Sequence, residues 1–262
     1  RARLGEGPGQ VMGADTTGRN IEPRMFQAAL ETRCFGRSVE FKASTGSTND
    51  DAREAALQGA PHGHLVVADQ QIAGRGSRGR SWSSPAGSDL YLSLVAQIPL
   101  PPVHLPPLTL AVGLAVSDTV DHFCPSPASS VKWPNDVWVQ GRKCAGILVE
   151  TSSSGGLPPT ARSSSESPSG TPAVIGVGLN VNRSAWPADL DTPPTSIHQV
   201  RGTPADRLQV LATLMARLEF WVEHFVKHGA GPICTALEPR LALRSELVRC
   251  DGVEGRLLGV SQ

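Results

Sequence analysis

The sequence has no excess of charge of either sign. Its 262 residues contain 24 Lys and Arg against 24 Asp and Glu, so the formal net charge at pH 7 is zero. Proteins that bind nucleic acid or an acidic membrane through a general electrostatic field carry an excess of basic residues. We therefore expect neither nucleic acid nor a membrane among its partners, and any positive potential must be local.

Paired cysteines and long apolar runs are also missing. The cysteines are odd in number and include no C-x-x-C pair, which argues against a disulfide framework and against a structural zinc site. They are Cys34, Cys124, Cys144, Cys234 and Cys250. No apolar run approaches the ~20 residues of a membrane-spanning helix, and residues 1–20 lack the apolar region of a signal peptide. The sequence predicts a cytoplasmic protein with reduced thiols, and the lack of an initiating Met suggests a fragment.

The most informative stretch is a basic, glycine-rich loop. Residues 74–80 are Gly-Arg-Gly-Ser-Arg-Gly-Arg, followed by Ser81 and Trp82. Glycines let the backbone approach a ligand and arginines supply forked cationic donors, a combination typical of a site for a phosphate or carboxylate. The spacing also matches G-x-G-x-x-G, but strands predicted at 64–69 and 90–98 flank the loop with no helix between them, which excludes a dinucleotide fold. The alternative is a solvated surface loop.

Hydroxyl side chains stand at a second turn. A strand is predicted over residues 38–42 and a helix over 47–58, so Ser47 and Thr48 lie at a strand-to-helix junction. They can face a ligand there or only cap the helix, and the local pattern favours capping.

Charged residues surround a third pair of predicted strands. Lys132 and Asp136 enclose Trp133-Pro134-Asn135, and Pro134 prevents this segment from being a helix. The two charges gain nothing as a helical ion pair, which favours a polar role at a cleft. Residues 141–142 predict a hairpin turn before a strand over 143–150 that begins with Lys143.

The remaining predicted elements form a scaffold. Residues 108–123 predict a buried helix, and an amphipathic helix is predicted to begin at Thr203-Pro204 and to run to His228. A strand over residues 173–182 carries glycines at alternate positions, which can admit a ligand or another backbone against one face.

Composition predicts one main domain with a flexible insertion. Residues 151–172 are mostly Ser, Thr, Gly and Pro, and strand pattern resumes directly after them. The predicted divisions are residues 1–35, poorly ordered; 36–243, the main domain with its insertion at 151–172; and 244–262, the start of a second domain.

Three motifs together resemble a known family. They are the loop at 74–82, the segment Lys-Trp-Pro-Asn-Asp at 132–136, and Lys-x-Ala-Gly-Ile-Leu-Val-Glu at 143–150. Their order and spacing closely resemble the biotin protein ligases, which attach biotin to acetyl-CoA carboxylase and its relatives. The resemblance covers residues from about 44 to 238. It implies an α+β fold with helices packed on a mixed β-sheet, shared with lipoate ligases and related to class II aminoacyl-tRNA synthetases.

The resemblance also implies a reaction and its site residues. Biotin and ATP would form biotinyl-5'-AMP, from which biotin passes to a lysine of the biotin carboxyl carrier protein; Mg²⁺ would accompany ATP, and no metal ligands are predicted. Biotin would contact Ser47, Thr48, Gln71, Gly74, Arg75, Gly76 and Lys143. The catalytic residues would be Lys143, Arg75, Lys132 and Asp136. ATP would contact Arg78, Arg80, Trp82 and Asn180.

The chain departs from the family pattern in several places. Ser77 replaces an arginine found in many members, the insertion is longer than usual, and no helix-turn-helix pattern precedes Phe41, so repressor activity is not expected. Residues 247–250 and 255–260 resemble the first strands of the family's small SH3-like domain, and this truncated stub is expected to lie unpaired or to lean on the main domain through its leucines. The alternatives to a biotin ligase are a lipoate-protein ligase and a non-catalytic biotin-binding fragment.

Overall fold

The computed structural model describes residues 21–124, 126, 128–151, 170–188, 190–250 and 252–260. These residues form an α+β fold in which helices cover both faces of a mixed sheet. The expected mixed sheet with packed helices is confirmed. Residues 1–20 and 152–169, which include most of the predicted disorder, lie outside the described ranges.

The described part of the chain contains nine strands and six α-helices. The strands are β1 (Val39–Lys42), β2 (Leu65–Ala68), β3 (Leu90–Ile98), β4 (Ser129–Lys132), β5 (Asp136–Val139), β6 (Arg142–Thr151), β7 (Thr171–Leu179), β8 (Leu247–Cys250) and β9 (Val253–Arg256). The α-helices are α1 (Pro23–Ala29), α2 (Thr48–Leu57), α3 (Leu108–Phe123), α4 (Ile197–Arg201), α5 (Arg207–His228) and α6 (Ala230–Leu237). None of these helices is long and apolar enough to span a membrane within the described ranges.

Among the described residues, seven strands form the main sheet in the order β1-β2-β3-β7-β6-β5-β4. β1 and β2 are parallel, and the other neighbours are antiparallel. The long strands β3, β7 and β6 lie at the centre and carry the cleft described below.

Strand alternation separates the core from the cleft. Ile175 and Val177 of β7 face the main hydrophobic core, which also contains α3 and α5. Val174 faces the opposite side, where it packs with α2 in a small second cluster. Because side chains alternate between faces, Gly176 and Gly178 share the side of Val174. The cleft therefore lies on the α2 face of the sheet.

Helix α5 is shorter at its start than the sequence predicted. The helix begins at Arg207, because the Asp206 side chain accepts a hydrogen bond from the Leu208 backbone N–H at 2.9 Å and caps it. Thr203-Pro204, predicted as its first turn, lies before this cap.

Residues 21–35 are ordered, which corrects the prediction of a poorly ordered segment over 1–35. Phe26 in α1 and Phe35 after it are fully buried. The Glu219 carboxylate accepts hydrogen bonds of 2.8–3.1 Å from the backbone N–H groups of residues 33–35. Burial raises the pKa of Glu219, but these donors outweigh burial and the pKa is lowered overall. A seven-residue helix gave too short a pattern to predict from sequence.

The insertion is also shorter than predicted. Thr151 is the last residue of β6, and Thr171 and Pro172 begin β7, so the ends of the predicted 151–172 segment belong to the sheet.

The tail forms a hairpin instead of an unpaired stub. β8 has its predicted bounds and pairs with β9, which covers 253–256 and not 255–260. Leu257 packs against the main core, as expected, whereas Leu258 is 74% exposed.

Candidate active site

A cleft of about 490 Å³ opens on the α2 face of the sheet. Its walls come from the start of α2, the loop after Arg75, the strands β6 and β7, and the segment from Arg183 to Pro194. The predicted site residues that line it are Ser47, Thr48, Gln71, Arg75, Gly76, Arg80, Trp82, Lys143 and Asn180. The other predicted residues, all within the described ranges, lie outside this lining: Gly74, Arg78, Lys132 and Asp136.

The sheet forms the floor of the cleft, and its glycines Gly146, Gly176 and Gly178 are covered by side chains of the protein itself. A Cβ at Gly178 would lie 2.5 Å from the Trp82 ring, and one at Gly146 would lie 2.8 Å from it. The Asn49 amide occupies the corresponding place over Gly176. The glycines were predicted to admit a ligand or a backbone; here they allow an indole to lie against the sheet.

One end of the cleft is neutral and rich in hydrogen-bonding groups. The Gln71 side-chain oxygen accepts from the Thr48 backbone N–H at 2.9 Å and from its hydroxyl at 3.1 Å. Gln71 donates in turn to the Ser84 hydroxyl at 2.9 Å. Ser47 stands at the N-cap of α2, but its side chain makes no capping bond, so the capping alternative is wrong for Ser47.

The basic loop folds back on itself. Trp82 N–H donates to Gly74 C=O at 2.8 Å, and a Cβ at Gly74 would lie 2.5 Å from Trp82 O, so glycine is required there. Arg78 has a φ of 59° and points to solvent. Arg80 donates to the backbone and hydroxyl oxygens of Ser77. Two of the three arginines therefore face solvent or the loop itself.

Arg75 is the loop arginine that crosses to the rest of the site. Its Nη2 lies 2.8 Å from Asp50 Oδ1 and 3.1 Å from Glu150 Oε2. This cation at the cleft is thus paired with carboxylates from α2 and from the end of β6.

Lys143 is held by a carboxylate on the neighbouring strand. Its Nζ lies 2.8 Å from Asp136 Oδ1, and the two side chains are only 18% and 7% exposed. The same amine lies 5.1 Å from the centroid of the Trp82 ring. Asp136 therefore acts on the cleft through Lys143.

A β-bulge directs Lys143 into the cleft. Trp138 on β5 pairs with Lys143, and Val137 pairs with Ala145, so Cys144 is an additional residue on β6. Ala145 faces the main core, and strict alternation would send Lys143 to the same side. The additional residue reverses this, which is a common use of bulges beside functional sites.

Two further predicted residues, Lys132 and Asn180, contact the strands and loops next to the cleft. Lys132 Nζ lies 4.9 Å from the Trp138 ring. The Asn180 amide donates to Thr195 C=O at 2.9 Å and to Lys143 C=O at 3.3 Å, so it joins the wall of the cleft to the backbone of the lysine.

The thiol beside the lysine is unsuited to nucleophilic chemistry. Burial raises the pKa of Cys144, so its sulfur stays protonated near neutral pH. Burial also raises the pKa of Asp89, which accepts a hydrogen bond from the Val181 backbone N–H next to Asn180.

Sequence reasoning missed several residues around the cleft. Glu150 ends the third motif and Asn49 follows Thr48; the available signal was the polarity of Glu150 at the end of a buried strand and of Asn49 beside a predicted site residue. Arg183 and Trp186 gave no signal; they form a cation–π contact of 4.6 Å, and Arg183 donates to Ser83 C=O across the cleft at 3.1 Å.

Comparison with known proteins agrees with this geometry. Residues 41–158 match the model of the biotin/lipoate A/B protein ligase family. The chain is 32% identical over 208 residues to the biotin–[acetyl-CoA-carboxylase] ligase of Paracoccus denitrificans, covering 78% of this chain and 81% of that protein.

The chain belongs to the biotin protein ligase family. The bifunctional ligase/repressor BirA of Bacillus spizizenii is 32% identical over 206 residues, but this chain spans only 59% of its length. The biotin protein ligase of Aquifex aeolicus, solved in complex with biotin and ATP, superposes with a TM-score of 0.68 at 27% identity, covering 86% of this chain and 88% of that one.

Proposed function

We propose that this biotin protein ligase chain activates biotin with ATP and transfers it to a lysine of a biotin carboxyl carrier protein. The observation that carries the proposal is one cleft whose lining includes the cations Lys143 and Arg75, each paired with a carboxylate, and a neutral hydrogen-bonding end at Ser47, Thr48 and Gln71. This combination suits a ligand with a neutral polar head and a carboxylate, which has to meet the phosphates of ATP.

The first step joins two anions. A carboxylate oxygen of biotin attacks the α-phosphorus of ATP, the bond to the β-phosphate oxygen breaks, and pyrophosphate leaves. Such a step requires fixed positive charge and tight positioning more than a protein nucleophile. Lys143 supplies the charge between carboxylate and α-phosphate, and Arg75 closes over both. The protonated Cys144 thiol is consistent with a mechanism that uses no cysteine nucleophile.

The remaining residues take supporting roles. Ser47, Thr48 and Gln71 hydrogen-bond the ureido ring of biotin, with Gly74 and Gly76 shaping the loop over it. Asp136 positions Lys143. On the ATP side, Trp82 packs on adenine, and Asn180 remains a predicted contact; its amide donates to the carbonyl groups of Thr195 and Lys143, which also holds the start of the lysine strand. Arg78 and Arg80 remain predicted contacts of ATP. Lys132 remains a predicted neighbour of the reaction centre.

In the second step the amine of the carrier lysine attacks the acyl carbon of biotinyl-5'-AMP. AMP leaves, and the amine loses a proton as the amide forms. The naming of the Paracoccus denitrificans relative as a biotin–[acetyl-CoA-carboxylase] ligase supports the carrier protein of that carboxylase as partner.

Two further predictions accompany this function. Mg²⁺ is proposed to accompany ATP, because at nucleotide sites it is held by the substrate phosphates with only one or two carboxylates; among the described residues no group of three or more His, Cys, Asp or Glu is placed to hold a metal. A cytoplasmic location is proposed from the cysteine pattern; Cys34, Cys124, Cys144 and Cys234 are free thiols.

Exchange of labelled pyrophosphate into ATP tests the proposal. The exchange should require biotin and should not respond to lipoate. Exchange driven by lipoate alone would assign a lipoate ligase instead, an assignment that the curated relatives do not favour. Biotin binding without exchange would mark a non-catalytic module. Transfer is then measured with a carrier domain and its lysine-to-arginine variant.

A further inference from the structure

Arg75 is bound by two carboxylates that do not belong to the cleft lining. Asp50 lies in the first turn of α2 and its side chain is half exposed, whereas the side chain of Glu150, near the end of β6, is 17% exposed. Arg75 itself is 38% exposed. These two carboxylates occupy the guanidinium group to which an anionic ligand at the cleft would otherwise bind.

The carboxylates keep other donors when Arg75 is removed from the group. Arg53 donates to Asp50 at 2.8 Å and to both oxygens of Glu150 at 3.3 Å. The Asn49 amide donates to Glu150 at 2.7 Å. The four charged side chains sum to zero, and losing Arg75 leaves neither carboxylate without a partner. Arg75 can therefore leave this cluster without stranding a buried charge.

The same cluster is connected to the neutral end of the cleft. The Ser93 hydroxyl donates to Asn49 Oδ1 at 2.6 Å and lies 2.8 Å from Thr48 Oγ1. Asn49 thus stands between the hydroxyl of Thr48 and the carboxylate of Glu150.

We propose that Asp50 and Glu150 are positioning residues that hold Arg75 at the mouth of the cleft and are replaced there by the carboxylate of the incoming ligand. This inference rests on the proposed function, because it takes biotin as the ligand. Binding is then an exchange of one carboxylate partner of Arg75 for another. The two carboxylates oppose binding by the strength of their pairing, while they keep the loop near its closed position.

The proposed exchange predicts that removing the charge of Glu150 or Asp50 strengthens biotin binding. E150Q keeps the shape and an acceptor for Asn49 but weakens the hold on Arg75. Biotin should bind about two- to fivefold more tightly, the range expected for one partly exposed ion pair. D50N should shift binding the same way and provides a second variant should E150Q fold poorly. E54Q, on the exposed side of the same helix, is the matched control and should bind as the wild type does.

The decisive readout is the biotin Kd of E150Q in an R75A background, measured by titration calorimetry on the full chain. With Arg75 absent there is nothing to release, so E150Q should leave the Kd of R75A unchanged. A role of Glu150 in merely supporting the fold would shift Kd in both backgrounds. Unchanged or weaker binding by E150Q in the presence of Arg75, or an equal shift in both backgrounds, overturns the exchange. A wild-type chain that does not bind biotin contradicts the proposed function itself, a different result from either of these.

Discussion

Two cations of the cleft lining, Lys143 and Arg75, are both paired with carboxylates, but they stand on different kinds of backbone. Lys143 stands on β6 and pairs with Asp136 on the adjacent strand, and its backbone N–H and C=O are bonded to Pro193 and Thr195. Arg75 stands on a loop and is about twice as exposed as Lys143. Under the proposed function, this difference implies two roles: Lys143 as a fixed charge where bonds change, and Arg75 as a movable charge that closes over the ligand.

Replacing the fixed cation should have the largest effect. K143A should lower the rate of biotin-dependent pyrophosphate exchange by about 100-fold or more, because a positioned charge at the reacting groups is lost. Biotin should still bind, as calorimetry can check. K227A, on the exposed last turn of α5, is the control. Turnover of K143A near the wild-type rate would remove Lys143 from the reaction.

A substitution of Gly178, in the floor of the cleft beneath Trp82, should have the next largest effect. G178A puts a Cβ about 2.5 Å from the Trp82 indole, which must move away. We expect the free energy of unfolding to fall by about 1–3 kcal/mol and biotin to bind more weakly. Denaturant unfolding and tryptophan fluorescence measure both. G255A in β9, where a Cβ would meet open space, should change little; equal effects in the two variants would contradict the packing argument.

Loss of the movable cation should cost less than loss of the fixed one. R75A removes one charged hydrogen-bond donor from a partly exposed position, so biotin should bind about fivefold more weakly. The Kd from calorimetry tests this, with R217A on α5 as the control. If R75A slows exchange as severely as K143A does, the proposed division between the two cations is wrong.

The smallest effect should come from the contact that joins loop and sheet. Asn135 donates to Ser77 Oγ at 3.1 Å and to Ile147 C=O at 2.9 Å. N135A should speed amide hydrogen exchange across residues 75–81 while changing the free energy of unfolding by only about 1 kcal/mol. Biotin should slow exchange there in both proteins. Exchange rates equal to those of the wild type would show that the loop is held by other contacts.

Regular elements with strong patterns were predictable from the sequence. β3 and α3 have their predicted bounds, since an apolar strand between turns and a mostly apolar helix after a proline-rich segment leave few alternatives. Arg75 and Lys143, which line the cleft, and Asp136, which pairs with Lys143, were singled out through the three motifs, and their roles stay predictions. In contrast, α1 is seven residues long, and Thr203-Pro204 resembled a helix start that Asp206 provides instead.

The rest of the site depends on distances that the sequence does not contain. Nothing in the spacing of the motifs placed Glu150 beside Arg75, because the two are 75 residues apart and meet only after the sheet forms. The alternating glycines predicted an open face, yet whether Trp82 or a ligand occupies it is decided by the path of the loop. The bulge at Cys144 could not be predicted from the sequence either, since the segment from Lys143 onward has an ordinary strand pattern.

That bulge makes the length of β6 as important as its composition. Cys144 is the residue without a partner on β5; if one residue were added to β5 opposite Cys144, ordinary pairing would return and Lys143 would point at the hydrophobic core, where an unpaired ammonium group is costly. An insertion in β6 directly after Cys144 would turn Ala145 and the residues that follow it toward the wrong faces of the sheet. Variation in length between relatives of this chain should therefore be confined to the loops between strands, and a single-residue change inside β6 should be far more damaging than the long insertion that follows the strand.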